Sequence, residues 1–170
     1  MSTRGTMDTQ YTPNSTHQFL TFALGQEEYG VEILKIQEIK GYSAVTPLPN
    51  APSYVKGVLN LRGTIVPIVD LRQKFGLPEA PYTAFTVIVV VQVQGKTLGF
   101  VVDAVSDVLT VPSEAIQPTP DLHGQVDTSF LNGLAQSGEK LVILLDIDQV
   151  LTAAEAASTV QAVSTAANSN

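Results

Sequence analysis

The stretch Gly30-Val31-Glu32-Ile33-Leu34-Lys35-Ile36-Gln37-Glu38-Ile39 recurs at an offset of 69 residues as Gly99-Phe100-Val101-Val102-Asp103-Ala104-Val105-Ser106-Asp107-Val108. Ile33 matches Val102, Ile36 matches Val105, and Glu38-Ile39 matches Asp107-Val108. A second echo runs at an offset of 76: Gly57 with Gly133, Val66 with Val142, Asp70-Leu71 with Asp146-Ile147, and Gln73 with Gln149. The chain therefore reads as two related units with about seven extra residues in the second. Each unit alone is small enough to bury only roughly 60% of its unfolded surface. Two such units are expected to share a core.

Within each copy the apolar residues have the period of two that marks a strand. Leu20, Phe22 and Leu24 fall on one face, Gly25-Gln26-Glu27-Glu28 makes a turn, and Tyr29 to Ile36 returns as a strand. In the second copy Val89, Val91 and Val93 take the first three places, Gln94-Gly95-Lys96 is the turn, and Leu98 to Val102 returns. A one-residue slip would reverse every side chain, so a repeat that keeps the alternation keeps inside and outside as well. Proline-rich stretches follow, Pro47 to Pro52 and Pro112 to Pro120. Proline lacks the amide that a central strand needs, so these are loops or edges. Asn50 and Asp127 are placed to cap short helices ending near Gly57 and Gly133. Strands are expected over Thr64 to Val69 and Lys140 to Leu145. Each is closed by an aspartate and a short helix, Asp70 to Phe75 before Gly76 and the segment from Asp146. Thr152-Ala153-Ala154-Glu155 has the capping-box pattern and opens an Ala-rich helix. Residues 1–17, rich in Thr, Ser, Asn and Gln, read as a disordered tail. The expected organisation is a mainly β domain over 18–151, copy one about 18–85 and copy two about 86–151, with a helical and frayed segment over 152–170. Several short strands with turn signals argue for small β-barrels over a parallel α/β sheet.

Charge and composition exclude several partners. The net charge is −7 and the pI about 4.6, whereas phosphate binding draws on clustered Lys and Arg, so nucleic acid is not expected. Six of the nine basic residues nonetheless lie between Lys35 and Lys74. They read either as scattered solubilising charge or as a site for an acidic protein partner. No cysteine is present, which removes disulfides and thiolate metal sites and fits a reducing compartment. Met1 to Gln18 has no apolar signal segment. The longest apolar run, Val87 to Val91, falls far short of the ~20 residues of a membrane helix. A soluble cytoplasmic protein without membrane insertion is expected.

No motif for catalysis emerges. Gly133 to Lys140 nearly matches a phosphate-binding loop. Glu139, however, puts negative charge before Lys140, and a strand follows where a helix should cradle the anion. His17 and His123 are the only histidines, and neither has metal-site spacing or a serine elbow to serve. Asp70, Asp103, Asp107 and Asp146 are the carboxylates to weigh for acid–base work. A hydrolase reading would need two of them to converge in a cleft. Asp70 and Asp146 sit at strand-to-helix junctions, where capping explains them. No catalytic residue, metal or other cofactor is expected.

Lined up, the segments Phe19 to Gly30, Ile33 to Ile39 and Gly57 to Arg72, with Val101-Val102-Asp103 and Val105 to Val108, resemble the CheW family of bacterial chemotaxis adaptors. The Asn60-Leu61-Arg62-Gly63 block with its Val66-Pro67-Ile68-Val69-Asp70-Leu71 strand is the most specific part, and the likeness runs from about Phe19 to Leu151. It implies two tandem SH3-like five-stranded β-barrels packed together, with short helices and a C-terminal helix. It also implies a non-catalytic adaptor joining the cytoplasmic hairpin tip of methyl-accepting chemoreceptors to the regulatory domain of the histidine kinase CheA, recruited to membrane-associated receptor arrays. A CheW-like adaptor of a surface-motility or other receptor–kinase pathway is the alternative. Ile36, Glu38, Lys56, Gly57, Arg62, Leu98, Gly99 and Gly133 match positions linked to receptor binding. Ile65 and, in the longer copy-two loop, Gln117, Asp121 and Leu122 are the positions expected to face the kinase. Gln117 departs from a commonly basic position.

Overall fold

The computed structural model describes residues 15–119 and 130–151. Ten strands run in order: β1 (Thr16–Leu24), β2 (Glu27–Glu32), β3 (Ile36–Gly41), β4 (Val55–Leu61), β5 (Thr64–Asp70), β6 (Val87–Val93), β7 (Lys96–Val102), β8 (Ala104–Pro112), β9 (Leu131–Ser137) and β10 (Lys140–Leu145). One-turn helices α1 (Leu71–Lys74) and α2 (Ile147–Val150) follow β5 and β10. The expected tail reaches into β1, which starts at Thr16, and the expected C-terminal helix lies outside the described residues.

The strands form two five-stranded sheets, in the orders β8-β1-β2-β10-β9 and β3-β6-β7-β5-β4. The sheets do not follow the copies. The second is continuous in the chain, whereas the first takes β1 and β2 from copy one and β8, β9 and β10 from copy two. Chain length between strands is the reason. β2 and β8 both pair antiparallel with β1, so they run parallel to each other. If β3 took the place of β8, the chain would have to travel back along the whole strand, and parallel neighbours need a connection of a dozen or more residues. Only a single 3₁₀ turn, Ile33–Lys35, separates β2 from β3, and only Asp103 separates β7 from β8. Each crossover must therefore carry the chain into the other sheet. The single return strand expected over Tyr29 to Ile36 is thus broken at Glu32.

Each sheet closes on itself through one bridge. Beyond β3, Thr46 exchanges two backbone hydrogen bonds of 2.9 Å with Val58 on β4, the opposite edge. Gln117 does the same with Leu134 on β9 at 2.8 Å. These closures explain the repeated Gly57 and Gly133. Both have extended strand neighbours but positive φ, 145° and 149°. A Cβ on Gly57 would overlap the Thr46 carbonyl oxygen, and one on Gly133 would lie 2.7 Å from the Gln117 oxygen. Among the described residues no helix ends at these glycines: β4 and β9 run straight through them, Asn50 sits in a turn at φ 63°, and Asp127 lies outside the described residues.

Burial follows the two sheets. Phe19, Val111, Ala135, Val142 and Leu144 fill the first barrel, and Val66, Ile68, Ile88, Val90 and Val101 fill the second. Between them lies the largest cluster, in which Leu20, Phe22 and Leu24 meet Val89, Val91, Val93, Leu98, Phe100 and Val102. The expected shared core is therefore present. β1 and β6 bury both faces, which is why their sequences run to near-continuous apolar residues.

Candidate interaction site

Two local features bring Glu38 and Arg62 together. The β3–β6 register skips between Ile36 and Glu38, a bulge that re-aims the side chains after Gln37. The β4–β5 hairpin turns at Arg62 and Gly63, whose φ values of 52° and 89° match the twist of the flanking strands. The side chain of Asn60 accepts the Gly63 amide at 2.8 Å and fixes that turn. Arg62 then donates from Nη2 to both Glu38 oxygens, at 2.7 and 3.1 Å. The hydrogen bond from Arg62, with the charges of Arg62 and Lys40, holds the Glu38 carboxyl below its usual range despite slight desolvation. The same bond raises the Arg62 guanidinium. Arg62 is 70% exposed, and among the described residues its Nε and Nη1 make no bond. A bidentate carboxylate or helix-end carbonyls can take those donors.

Beside this pair the second barrel opens. Gln92 donates to Gln37 and to Thr97, both at 2.6 Å, and forms one rim. A cavity of about 180 Å³ lies below, lined by Gln37, Leu61, Arg62, Thr64, Val66, Val90 and Thr97.

Lys56 belongs to the other end of the barrel. It is six residues before Arg62 on a strand rising about 3.3 Å per residue, so the two stand about 20 Å apart. The Lys56 ammonium lies 5.4 Å above the ring of Tyr82, beside a cleft of about 390 Å³ that Asp70, Gln73 and Glu79 also line. Tyr82 donates to Asp70 Oδ2 at 2.6 Å, and burial together with that carboxylate pushes its hydroxyl well above the usual range.

The other expected contacts divide by burial. Ile36 is half-buried against the shared core, Ile65 is 45% exposed opposite Asn60, and Gln117 is exposed on the closing bridge. Leu98, Gly99, Gly57 and Gly133 are buried and present no side chain to a partner. Leu98 packs in the shared core, and a Cβ on Gly99 would come within 2.8 Å of Ile68. All four are packed into the barrels. Asp121 and Leu122 lie outside the described residues.

The carboxylates weighed for catalysis are otherwise occupied. Asp70 and Asp146 cap α1 and α2. Asp107 is exposed and accepts the Val108 amide. Asp103 accepts Arg72 Nε and Nη2, each at 2.9 Å, and the Gly25 amide at 2.9 Å. His17 bonds Ser113 at 3.0 Å, and His123 lies outside the described residues. Among the described residues no group of His, Cys, Asp and Glu is built to hold a metal ion, and no helix is long and apolar enough to cross a membrane.

Sequence reasoning missed two crossover clamps. Arg72 on α1 grips Asp103 between β7 and β8, while Asp148 on α2 takes Lys35 between β2 and β3 at 3.0 Å. Arg72 and Asp148 are equivalent at the offset of 76, so the clamp recurs with its charges exchanged. The signal was partial: Arg72 and Asp148 are opposite charges at matched positions, but their partners Asp103 and Lys35 fall one residue out of step at the offset of 69. With Arg62 also paired, three of the six clustered basic residues are in ion pairs within the chain.

The CheW-like domain family matches residues 18–155. The chain is 48% identical over 140 residues to a Chemotaxis protein CheW of Klebsiella aerogenes, covering 82% of this chain and 84% of that one. It is 40% identical over 142 residues to a Chemotaxis protein CheW of Rhizobium meliloti, covering 84% and 92%. The crystal structure of the scaffolding protein TtCheW from Thermoanaerobacter tengcongensis superposes with a TM-score of 0.73 at 30% identity, over 78% of this chain and 90% of that one. With both barrels and the crossovers between them inside the matched span, the chain belongs to the CheW-like family.

Proposed function

We propose that this chain is a non-catalytic scaffold of bacterial chemotaxis, working in the cytoplasm, that couples methyl-accepting chemoreceptors to the histidine kinase CheA. The observation that carries the reading is the Glu38–Arg62 pair, locked by a bulge and a rigid turn at positions the family links to receptor binding, with two guanidinium donors left over. A preset cation needs little ordering on binding, which favours affinity. Ile65, 45% exposed on a different strand, offers the kinase a separate apolar contact. Gln117, Asp121 and Leu122 are assigned to a second kinase contact. The relatives named as chemotaxis proteins and the neighbour named as a scaffolding protein support the same reading.

Arg62→Glu tests it. The variant should keep its fold, since the side chain is exposed, and lose affinity for a receptor cytoplasmic fragment by at least about tenfold. Titration calorimetry against receptor and kinase fragments reads the change. Wild-type receptor affinity in the folded variant would refute the assignment.

A further inference from the structure

The turn that carries Arg62 has a counterpart in the second copy. At the offset of 76, Asn60-Leu61-Arg62-Gly63 matches Gln136-Ser137-Gly138-Glu139. Both close a hairpin in two residues, between the pairs Leu61–Thr64 and Ser137–Lys140. The first residue of each turn is left-handed, Gly138 at φ 62° and Arg62 at φ 52°. Glycine adopts that conformation freely, whereas a long L side chain adopts it only under strain. The fold therefore requires a left-handed residue here but not an arginine. Strain of this kind persists where the surroundings hold it, and it gathers at functional positions. The peptide plane after the left-handed residue differs between the copies. Gly63 has φ 89°, the type I′ pattern, whereas Glu139 keeps a negative φ, the type II′ pattern, and the two types differ by a flip of that plane. In the first copy the plane shows its N–H to Asn60, whose Oδ1 accepts it at 2.8 Å. In the second it shows its carbonyl to Gln136, whose amide donates to it at 3.3 Å. Asn60 thus supplies the acceptor that selects the plane behind Arg62. The hairpin itself does not depend on this bond. The Gln94–Gly95 turn takes nearly the same φ values, 52° and 79°, while Gln92, two residues before it, gives its amide to Gln37 and Thr97. What the Asn60 bond adds falls on Arg62.

We propose that Asn60 is the positioning residue through which Arg62 recognises its partner, the receptor on the adaptor reading. By holding the Arg62–Gly63 plane it keeps the guanidinium on Glu38, at 2.7 and 3.1 Å, with Nε and Nη1 left for an acidic group of the partner. Arg62 is then ordered before binding, and the complex avoids the loss of one long side chain's freedom. The proposal deepens the adaptor reading and rests on it.

A double-mutant cycle tests it. Asn60→Ala, Arg62→Ala and the double variant are titrated against a receptor cytoplasmic fragment and a kinase regulatory-domain fragment, with thermal unfolding as the control for fold. Asn60→Ala should weaken receptor binding about fivefold in the parent, the scale of ordering one long side chain. In the Arg62→Ala background the same change should weaken it by less than about 1.5-fold, because the residue it acts through is gone. Kinase affinity should not move. An equal loss in both backgrounds, or no loss in either, would overturn the positioning role while leaving the adaptor reading intact. Coupling read with the kinase fragment alone would overturn the receptor as the partner of Arg62. Parent affinity of Arg62→Ala for the receptor fragment would overturn the part of the adaptor reading that rests on the Glu38–Arg62 pair.

Discussion

Gly57 and Gly63 lie six residues apart, both at positive φ, and differ in what surrounds them. At Gly57 a Cβ would meet backbone, the Thr46 carbonyl that closes the second barrel. At Gly63 nothing lies within 4 Å, and only the φ of 89° is unfavourable to other residues. Gly57→Ala should therefore destabilise by more than about 2 kcal/mol, through strain and loss of the closing bridge. Gly63→Ala should cost about 1 kcal/mol, the conformational term alone. Urea unfolding of both variants checks the contrast, and similar losses would mean that barrel closure is not what Gly57 serves. Because the effect of Gly57 is on the fold, weakened receptor binding in such a variant would follow from damaged structure.

The short elements owe their positions to the crossovers. Asp103 is the whole link between β7 and β8, and its carboxylate joins α1, through Arg72, to the Gly25 amide of the β1–β2 turn. Partial burial pushes the Asp103 carboxyl up, but the hydrogen bonds from Arg72 and Gly25 and the guanidinium charge outweigh it and hold it below the usual range. A carboxylate with a depressed folded pKa stabilises above its unfolded value, about 3.9, and loses that contribution as pH falls through the folded value. Asp103→Asn should therefore be less stable than the parent by about 1 kcal/mol at neutral pH, a modest figure because the pair is partly exposed. The gap should close below about pH 4. Thermal unfolding of both proteins from neutral pH into this acid range measures it, and a gap independent of pH would assign the clamp to packing.

At the scale of the molecule, one barrel is continuous in the chain and the other is assembled from its two ends. The segment 36–102 contains all five strands of the second sheet. Expressed alone it should nevertheless fail to fold as a monomer. Val69, Val89, Val91, Val93, Leu98, Phe100 and Val102 all belong to the shared core and would face water. Their exposure forfeits about 1.5–3 kcal/mol for each large side chain, against the 5–15 kcal/mol by which whole domains are stable. Amide dispersion in proton NMR and sedimentation of the fragment decide the matter, since a sharp, dispersed monomer spectrum would show the second barrel to be self-sufficient.

Read without coordinates, the repeat was sufficient to establish the alternation of six strands, the capping aspartates Asp70 and Asp146, and an expected core shared by the two copies, which Leu20, Phe22, Leu24 and their copies Val89, Val91 and Val93 form, whereas β4 and β9 were read as helices. Those features are local or periodic, and periodicity survives in a string of letters. Which strand neighbours which was decided only in three dimensions. The three-residue and one-residue links forbid a return into the same sheet, but that argument needs the pairing of β1 with β8, a contact between residues about ninety apart in sequence. The site divided in the same way. Glu38 and Arg62 were recognisable as residues, but their meeting depends on a bulge and a turn. Leu98, Gly57, Gly99 and Gly133 were recognisable by their place in the repeat, but their burial inside the barrels is set by the strands folded across them. A sequence records which residues are apolar or flexible. Which of those residues is covered depends on the strands that fold across them, and here the covering strands come from the other half of the chain.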